Sequence, residues 1–346
     1  MTNVKKMIQD YGVSRFIVTA FAIFLLVVAF LQGQDMPILF SDILNRFGMY
    51  AFFSLAMVPS IISGTLLNFG ITLGILAGVL AGLISLELQL TGFAGIACAL
   101  VLAIPFGAIV GFGYGLLLNR VKGSEMVVAT YVGYAAVYIM CIGWMVLPFK
   151  NPSMIWAIGG EGLRTTITLD GYYDAILSDM LNITVGGVTI QIGLLLIIAF
   201  ACFLMYLFTR SKMGIAMHAA GANPVYASAV GVNVNRQRVI GTMISTVLGA
   251  LGIVIYAQAF GFYQLYTAPM NMSMYPVAAV LIGGASTRKI KISHVILGTL
   301  LYQTIIAVSV PVVSMLAPEG GLGDVVRIIV SNGIILYALA QAGGNK

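Results

Sequence analysis

The chain has 346 residues, of which 60% are hydrophobic and only 8% charged, with a formal net charge of +6. Soluble domains carry about 25% charged residues, so this composition, with a mean hydropathy of +1.03, excludes a soluble, disordered or disulfide-scaffold protein and indicates a polytopic helical membrane chain. The ten-residue alternating segments of a β-barrel do not stand out, and the few basic residues, spread over loops, are not a nucleic-acid footprint.

The expected architecture is a single all-α transmembrane domain over residues 1–346. Ten spans are read at about 16–32, 47–62, 70–88, 92–118, 125–147, 188–209, 239–259, 275–286, 292–312 and 324–341. Lys5 and Lys6 precede the first apolar run, Phe16 to Leu31, and no small-residue cleavage site follows it, so it is expected to remain as a span. The second and eighth runs are short, which suits broken or partly re-entrant segments. At the start of the third, Asn68 and Thr72 flank or interleave the Gly70/Gly74 pair. Thr130, Tyr131, Tyr134 and Tyr138 lie along the fifth span, and the three tyrosines share one helical face. That face suits stacking on a sugar ring or nucleobase, or plain packing. Cys98, Cys141 and Cys202 lie inside apolar runs without metal-ligand spacing and read as packing residues.

Residues 149–187 form the longest stretch outside the spans, with Glu161, Asp170, Asp174 and Asp179 against Lys150 and Arg164. Within it, Tyr172 to Leu177 is expected to lie as a short helix on the outer face. The stretch serves either as a solvated connector or as a landing surface for an external partner. The segment 210–238 is more specific. Asn223 is a good N-cap, Pro224 suits the first helical position and Gly231 the left-handed terminator, so Pro224 to Val230 should form a two-turn helix. It is either a lever for a partner or an ordinary connector. Further on, Gln258 closes the seventh span, and Gln303, Thr304 and Ser309 lie in the ninth. Uncharged polar groups of this kind suit a neutral polar solute, or hydrogen bonding between helices.

Alternating ten spans from a cytoplasmic N-terminus places Lys5, Lys6, Arg15, Arg120, Lys122, Arg210, Lys212, Arg236, Arg238, Arg288, Lys289, Lys291 and Lys346 inside, thirteen of the seventeen basic residues. Arg46, Lys150, Arg164 and Arg327 fall outside or at span edges. This bias supports the orientation and puts both termini in the cytoplasm. Two halves of five spans, if duplicated, would be inverted relative to each other. Glu87, Glu125 and Arg327 fall near span ends, which argues against an ion-coupled pump and places the energy source in another chain. No phosphate-binding loop, metal cluster or catalytic triad is evident; His218 and His294 are far apart.

The segment Arg210–Val232, with Gly214, Ala219-Ala220-Gly221, Asn223-Pro224, Ala227 and Gly231-Val232, resembles the cytoplasmic signature of ATP-binding-cassette importer permeases of the ribose, galactoside, autoinducer and branched-chain amino-acid group. Pro276 to Ser286, containing Gly283-Gly284-Ala285-Ser286, and then Gly298-Thr299-Leu300-Leu301, are similar to later motifs of the same group. The resemblance implies a bacterial inner-membrane importer permease with no cofactor of its own. ATP and magnesium would be held by cytoplasmic ATPase subunits. The other implied partners are a second permease chain, identical or not, and an extracytoplasmic solute-binding protein, within membrane lipid. It assigns ATPase coupling to Gly214, Gly221, Asn223, Pro224, Ala227 and Gly231. The candidate pathway lining is Asn68, Thr72, Thr130, Tyr131, Tyr134, Gln258 and Gln303. Thr287 to Lys291 departs from the group's Gly-rich continuation and suits the ATPase or anionic lipid. Asn68 to Gly74 and Ser124 to Val128 lean toward nucleosides, whereas the Gly-Gly-Ala-Ser box leans toward monosaccharides. A secondary transporter working alone and a non-transporting membrane subunit are the competing expectations.

Overall fold

The computed structural model describes residues 13–65, 67–156, 162–286 and 290–316, with scattered positions from 325 to 340. Lys5, Lys6, Asp10, Glu161, Arg288, Lys289, Arg327 and Lys346 lie outside the described residues, as does most of the tenth expected span.

The chain is mainly helical. The long helices are α1 (Val13–Leu31), α2 (Met36–Ile62), α3 (Thr72–Glu87, entered through a 3-10 turn at Phe69–Ile71), α4 (Gly92–Arg120) and α5 (Glu125–Val146). A short α6 (Ile176–Asp179) precedes α7 (Ile192–Arg210), α8 (Lys212–Ala222) and α9 (Pro224–Ala229). Then follow α10 (Val234–Phe260), α11 (Thr267–Asn271), α12 (Met274–Ile282) and α13 (Ile292–Leu316). Among the described residues, six helices are long and apolar enough to cross a membrane: α3 with its 3-10 entry, α4, α5, α7, α10 and α13.

Two expectations are corrected and one is extended. The helix that carries the second apolar run is longer than the run itself: α2 begins at Met36, because the Asp35 carboxylate caps the Ile38 N–H at 3.3 Å and Pro37 suits a first turn. The chain is not purely helical. Strand β1 (Thr166–Thr168) pairs antiparallel with β4 (Phe262–Gln264), and β2 (Asn182–Val185) forms a hairpin with β3 (Val188–Gln191). Finally, Tyr172 to Leu177 is not one helix. The Tyr173 ring is buried with its hydroxyl 3.3 Å from both the Gly82 carbonyl and the Tyr263 hydroxyl, and Ala175 sits at φ +50°, so only Ile176–Asp179 coils.

Helix α10 runs through the centre, and small residues let its neighbours approach it. A Cβ on Gly107, Gly111 or Gly115 of α4 would lie about 3 Å from the α10 backbone, at Val247, Met243 and Val239 respectively. Gly74 and Gly78 of α3 meet the carbonyls of Thr246 and Ala250, and Gly241 of α10 meets Pro59 and Ser63 beneath α2. A second tight contact joins α12 to α13, where Gly283 and Gly298 meet backbone to backbone.

The two ends of the bundle differ. At one end the Gly92 N–H donates to the Tyr172 carbonyl at 2.7 Å, seating the 147–191 segment and its strands. At the other, near the end of the 29-residue α4, Asn119 donates to the Asn235 carbonyl at 2.9 Å beside α8 and α9. Arg15, Arg120, Lys122, Arg210, Lys212, Arg236, Arg238 and Lys291 gather at the α8–α9 end. Asp35, Asp42, Glu87, Asp170, Asp174 and Asp179 gather at the opposite end.

Candidate functional site

Helix α9 owes its existence to its two ends. The Asn223 side chain accepts from the Tyr226 N–H at 3.0 Å, and Pro224 fixes the first helical φ. Gly231 adopts φ +85°, and beyond it the Val232 N–H returns to the Ala227 carbonyl at 2.9 Å. A six-residue helix has no stability alone, so its support matters. Ala227 is fully buried beneath it, whereas Val225 (81% exposed), Tyr226 (62%) and Val230 (57%) project outward. Large apolar side chains on a polar, basic rim are an unusual surface.

Helix α8 is the support. The Ser211 hydroxyl accepts from the Gly214 N–H at 3.2 Å, and Gly214 turns so tightly that a Cβ would meet the Phe208 carbonyl. At its far end Gly221 abuts Gly64: a Cβ on Gly64 (φ +79°) would lie 3.0 Å from Gly221 Cα, and one on Gly221 would meet the Ile62 carbonyl. The α8–α9 unit thus rests, backbone on backbone, on the chain that leaves α2.

An open groove of about 730 Å³ runs beside α9, lined by Lys122, Pro224, Val225, Ser228, Gly231, Val232, Asn233, Val234 and Asn235. Lys122 is held by Asn235 Oδ1 at 2.7 Å, so the α4–α5 turn forms one wall. Behind that wall Arg238 makes contacts that neither its own neighbours in sequence nor those of Glu125 announce. Its Nη2 donates to Glu125 Oε1 at 2.6 Å and its Nη1 to the Gly64 carbonyl at 3.2 Å. Glu125 Oε2 accepts from the Gly123 N–H at 2.7 Å. Both side chains are nearly buried, and Arg238 Nε has no acceptor among the described residues.

The candidate lining residues occupy different surroundings. Asn68 is buried, donating to Ser245 Oγ at 2.8 Å and accepting from the Tyr114 hydroxyl at 3.1 Å. Thr72 is buried beside Gly133, where a Cβ would lie 3.3 Å away, so the turn of α5 from Thr130 to Tyr134 sits next to the Asn68 break. The Thr130 hydroxyl bonds back to the Met126 carbonyl at 2.9 Å. Tyr131 (70% exposed) projects outward, and Tyr134 is half-buried. Gln258 lies apart from these: its Oε1 accepts from the Leu177 N–H at 3.0 Å and its carbonyl from the Ala175 N–H at 2.7 Å, holding α6. Gln303 is buried within α13.

Residues 39–337 match the profile of a protein family described as the branched-chain amino acid transport system permease component. Over 199 residues the chain is 23% identical to the nucleoside ABC transporter permease protein NupB of Lactococcus lactis subsp. cremoris, covering 55% of this chain and 51% of the relative. It is 26% identical to NupC, a nucleoside ABC transporter permease protein of the same organism, over 34% of this chain and 37% of the relative. It is 28% identical to the guanosine ABC transporter permease protein NupQ of Bacillus subtilis over 26% of this chain and 28% of the relative. The matches span about half or less of the length of these curated relatives. No solved structure matches. The match extends through the six apolar helices and the α8–α9 unit alike, and this multi-pass membrane chain belongs to that family of transport permease components, not to an enzyme family.

Proposed function

We propose that this chain is the membrane-spanning subunit of an ATP-driven importer for a small neutral polar solute, with nucleosides ahead of monosaccharides. It spans the membrane ten times with both termini cytoplasmic, in inverted halves of five. Separate ATPase subunits holding ATP and magnesium drive it, an extracytoplasmic binding protein feeds it, and a second permease chain completes the pathway. The observation that carries this reading is the capped helix α9, which offers Val225, Tyr226 and Val230 beside an open groove while α8 seats it on the bundle. Such a surface fits a cleft in a partner that grips and moves it.

The leaning toward nucleosides rests on the relatives' printed names and on the Asn68 to Gly74 stretch. The tyrosine face of α5 supports a lined pathway. Tyr138 is 61% exposed and stands about 20 Å along α5 from Glu125. A phenol hydroxyl at that depth has no hydrogen-bonding partner in hydrocarbon, which favours a wet pathway or a second chain there.

The test is reconstitution with the ATPase subunits and binding protein. Val225→Asp with Tyr226→Ala should weaken ATPase capture by about thirty-fold, the scale of losing central interface anchors, while insertion is unchanged. Uptake by the chain alone would instead establish a secondary transporter. Full ATPase capture by the double variant would remove α9 from the coupling role.

A further inference from the structure

Three segments meet at Arg238. The first is the chain leaving α2, whose Gly64 carbonyl accepts from Nη1 at 3.2 Å and whose backbone carries Gly221 of α8. The second is the first residue of α5, Glu125, bound by Nη2 at 2.6 Å. The third is α10 itself, which starts three residues after Gly231 closes the α9 turn. Glu125 is further fixed by the Gly123 N–H, so the carboxylate spans the α4–α5 turn and the guanidinium. A fork of five donors in a fixed plane suits this task better than a point charge.

We propose that Arg238 and Glu125 form the clamp that passes movement of the α8–α9 unit to α5, with Arg238 as a positioning residue. The inference rests on the coupling reading above. A push on α9 presses Gly221 on Gly64. Gly64 is bonded to Arg238, Arg238 to Glu125, and Glu125 opens the helix that carries Tyr131, Tyr134 and Tyr138. Arg238 Nε, buried and without an acceptor among the described residues, leaves the fork a spare donor for a second arrangement when the unit shifts. A two-state element biased at one end is what coupling between distant sites requires.

The experiment uses the complete complex in proteoliposomes. Glu125→Gln, Arg238→Gln, Arg238→Lys and the neutral double variant are compared for assembly, ATP hydrolysis and solute taken up per ATP. The expected result is normal assembly, retained hydrolysis and uptake per ATP about ten-fold lower in both glutamine variants. Their combination should be no worse than Arg238→Gln alone, because that change already removes both the Gly64 and the Glu125 link. Arg238→Lys should fall between, since an ammonium reaches Glu125 or Gly64 but does not fork to both. Wild-type uptake per ATP in the double variant overturns the clamp. Loss of assembly in all four variants also overturns it, assigning the pair to stability alone. Failure of the wild-type chain to bind an ATPase would instead sink the coupling reading itself.

Discussion

Asn68 sits where the backbone leaves α2 and re-enters a helix at depth, and its amide uses both ends. It donates to Ser245 on α10 and accepts from Tyr114 on α4, tying two helices to the break. Replacing it with alanine leaves two buried hydroxyls without this partner, so N68A should lower stability by about 1–3 kcal/mol. The melting temperature of the detergent-purified chain measures this, and an unchanged value would mean that the network closes without Asn68. Asp174 shows the opposite situation. Desolvation, with Asp170 and Asp179 nearby, raises its pKa above the usual carboxylate value against the opposing pull of the Ala175 N–H. A raised acid binds its proton more tightly when folded, so its stabilising share is present below the unfolded pKa and is lost as pH rises through the folded one. Melting temperature should therefore gain on mild acidification through that window, and D174N should lack this component. Equal pH profiles for the two proteins would contradict the assignment.

The elements hold together through shape more than through polarity. Gly111 and Gly113 lie two residues apart on α4, yet a Cβ on the first would come 2.9 Å from Met243 Cα and 2.8 Å from Thr246 Cβ, while one on the second meets nothing within 4 Å. G111L should separate α4 from α10 and cost at least the ~1–3 kcal/mol of an overpacked contact. G113A should be neutral or raise stability by about 0.5–1 kcal/mol, because it removes glycine from a helix interior. The yield and melting temperature of the two variants decide the matter, and similar behaviour would discard the close-packing account. Such differences show what a sequence displays. Helix α9 is readable because Asn223, Pro224 and Gly231 act within nine residues of one another. Nearly all of the long helices are readable from apolar length. The β1–β4 pair is not, because its strands lie almost a hundred residues apart and three residues long, too short for any alternation to register. The Arg238–Glu125 contact is hidden for the same reason: each residue alone looks like a charge at a span end, and only packing brings them together.

At the scale of the whole molecule, burial sorts the helices into layers. The apolar windows of α3 and α10 are 83% and 67% buried, whereas those of α4, α5 and α7 are 28%, 17% and 22% buried. The inner helices therefore carry the fold, and the outer ones face lipid, pathway or a second chain. Most of the charges sort by end: eight described basic residues lie around α8 and α9 together with Glu125, and six acidic residues lie around the strands together with Arg46, Lys150 and Arg164. An excess of basic residues stays on the cytoplasmic side during insertion, which predicts a cytoplasmic α8–α9 end without reference to any relative. The measurement is single-cysteine labelling in a chain whose Cys98, Cys141 and Cys202 have been replaced. S228C on α9 should react with an impermeant maleimide only in inside-out vesicles, and T184C on the β2–β3 hairpin only in intact spheroplasts. Ser228 lines the groove and Thr184 is exposed on its strand, so neither result depends on unfolding. Reaction of both from one side would mean that α4 does not cross, because α4 links the two ends. Reaction of S228C from outside would leave α9 with no ATPase to meet.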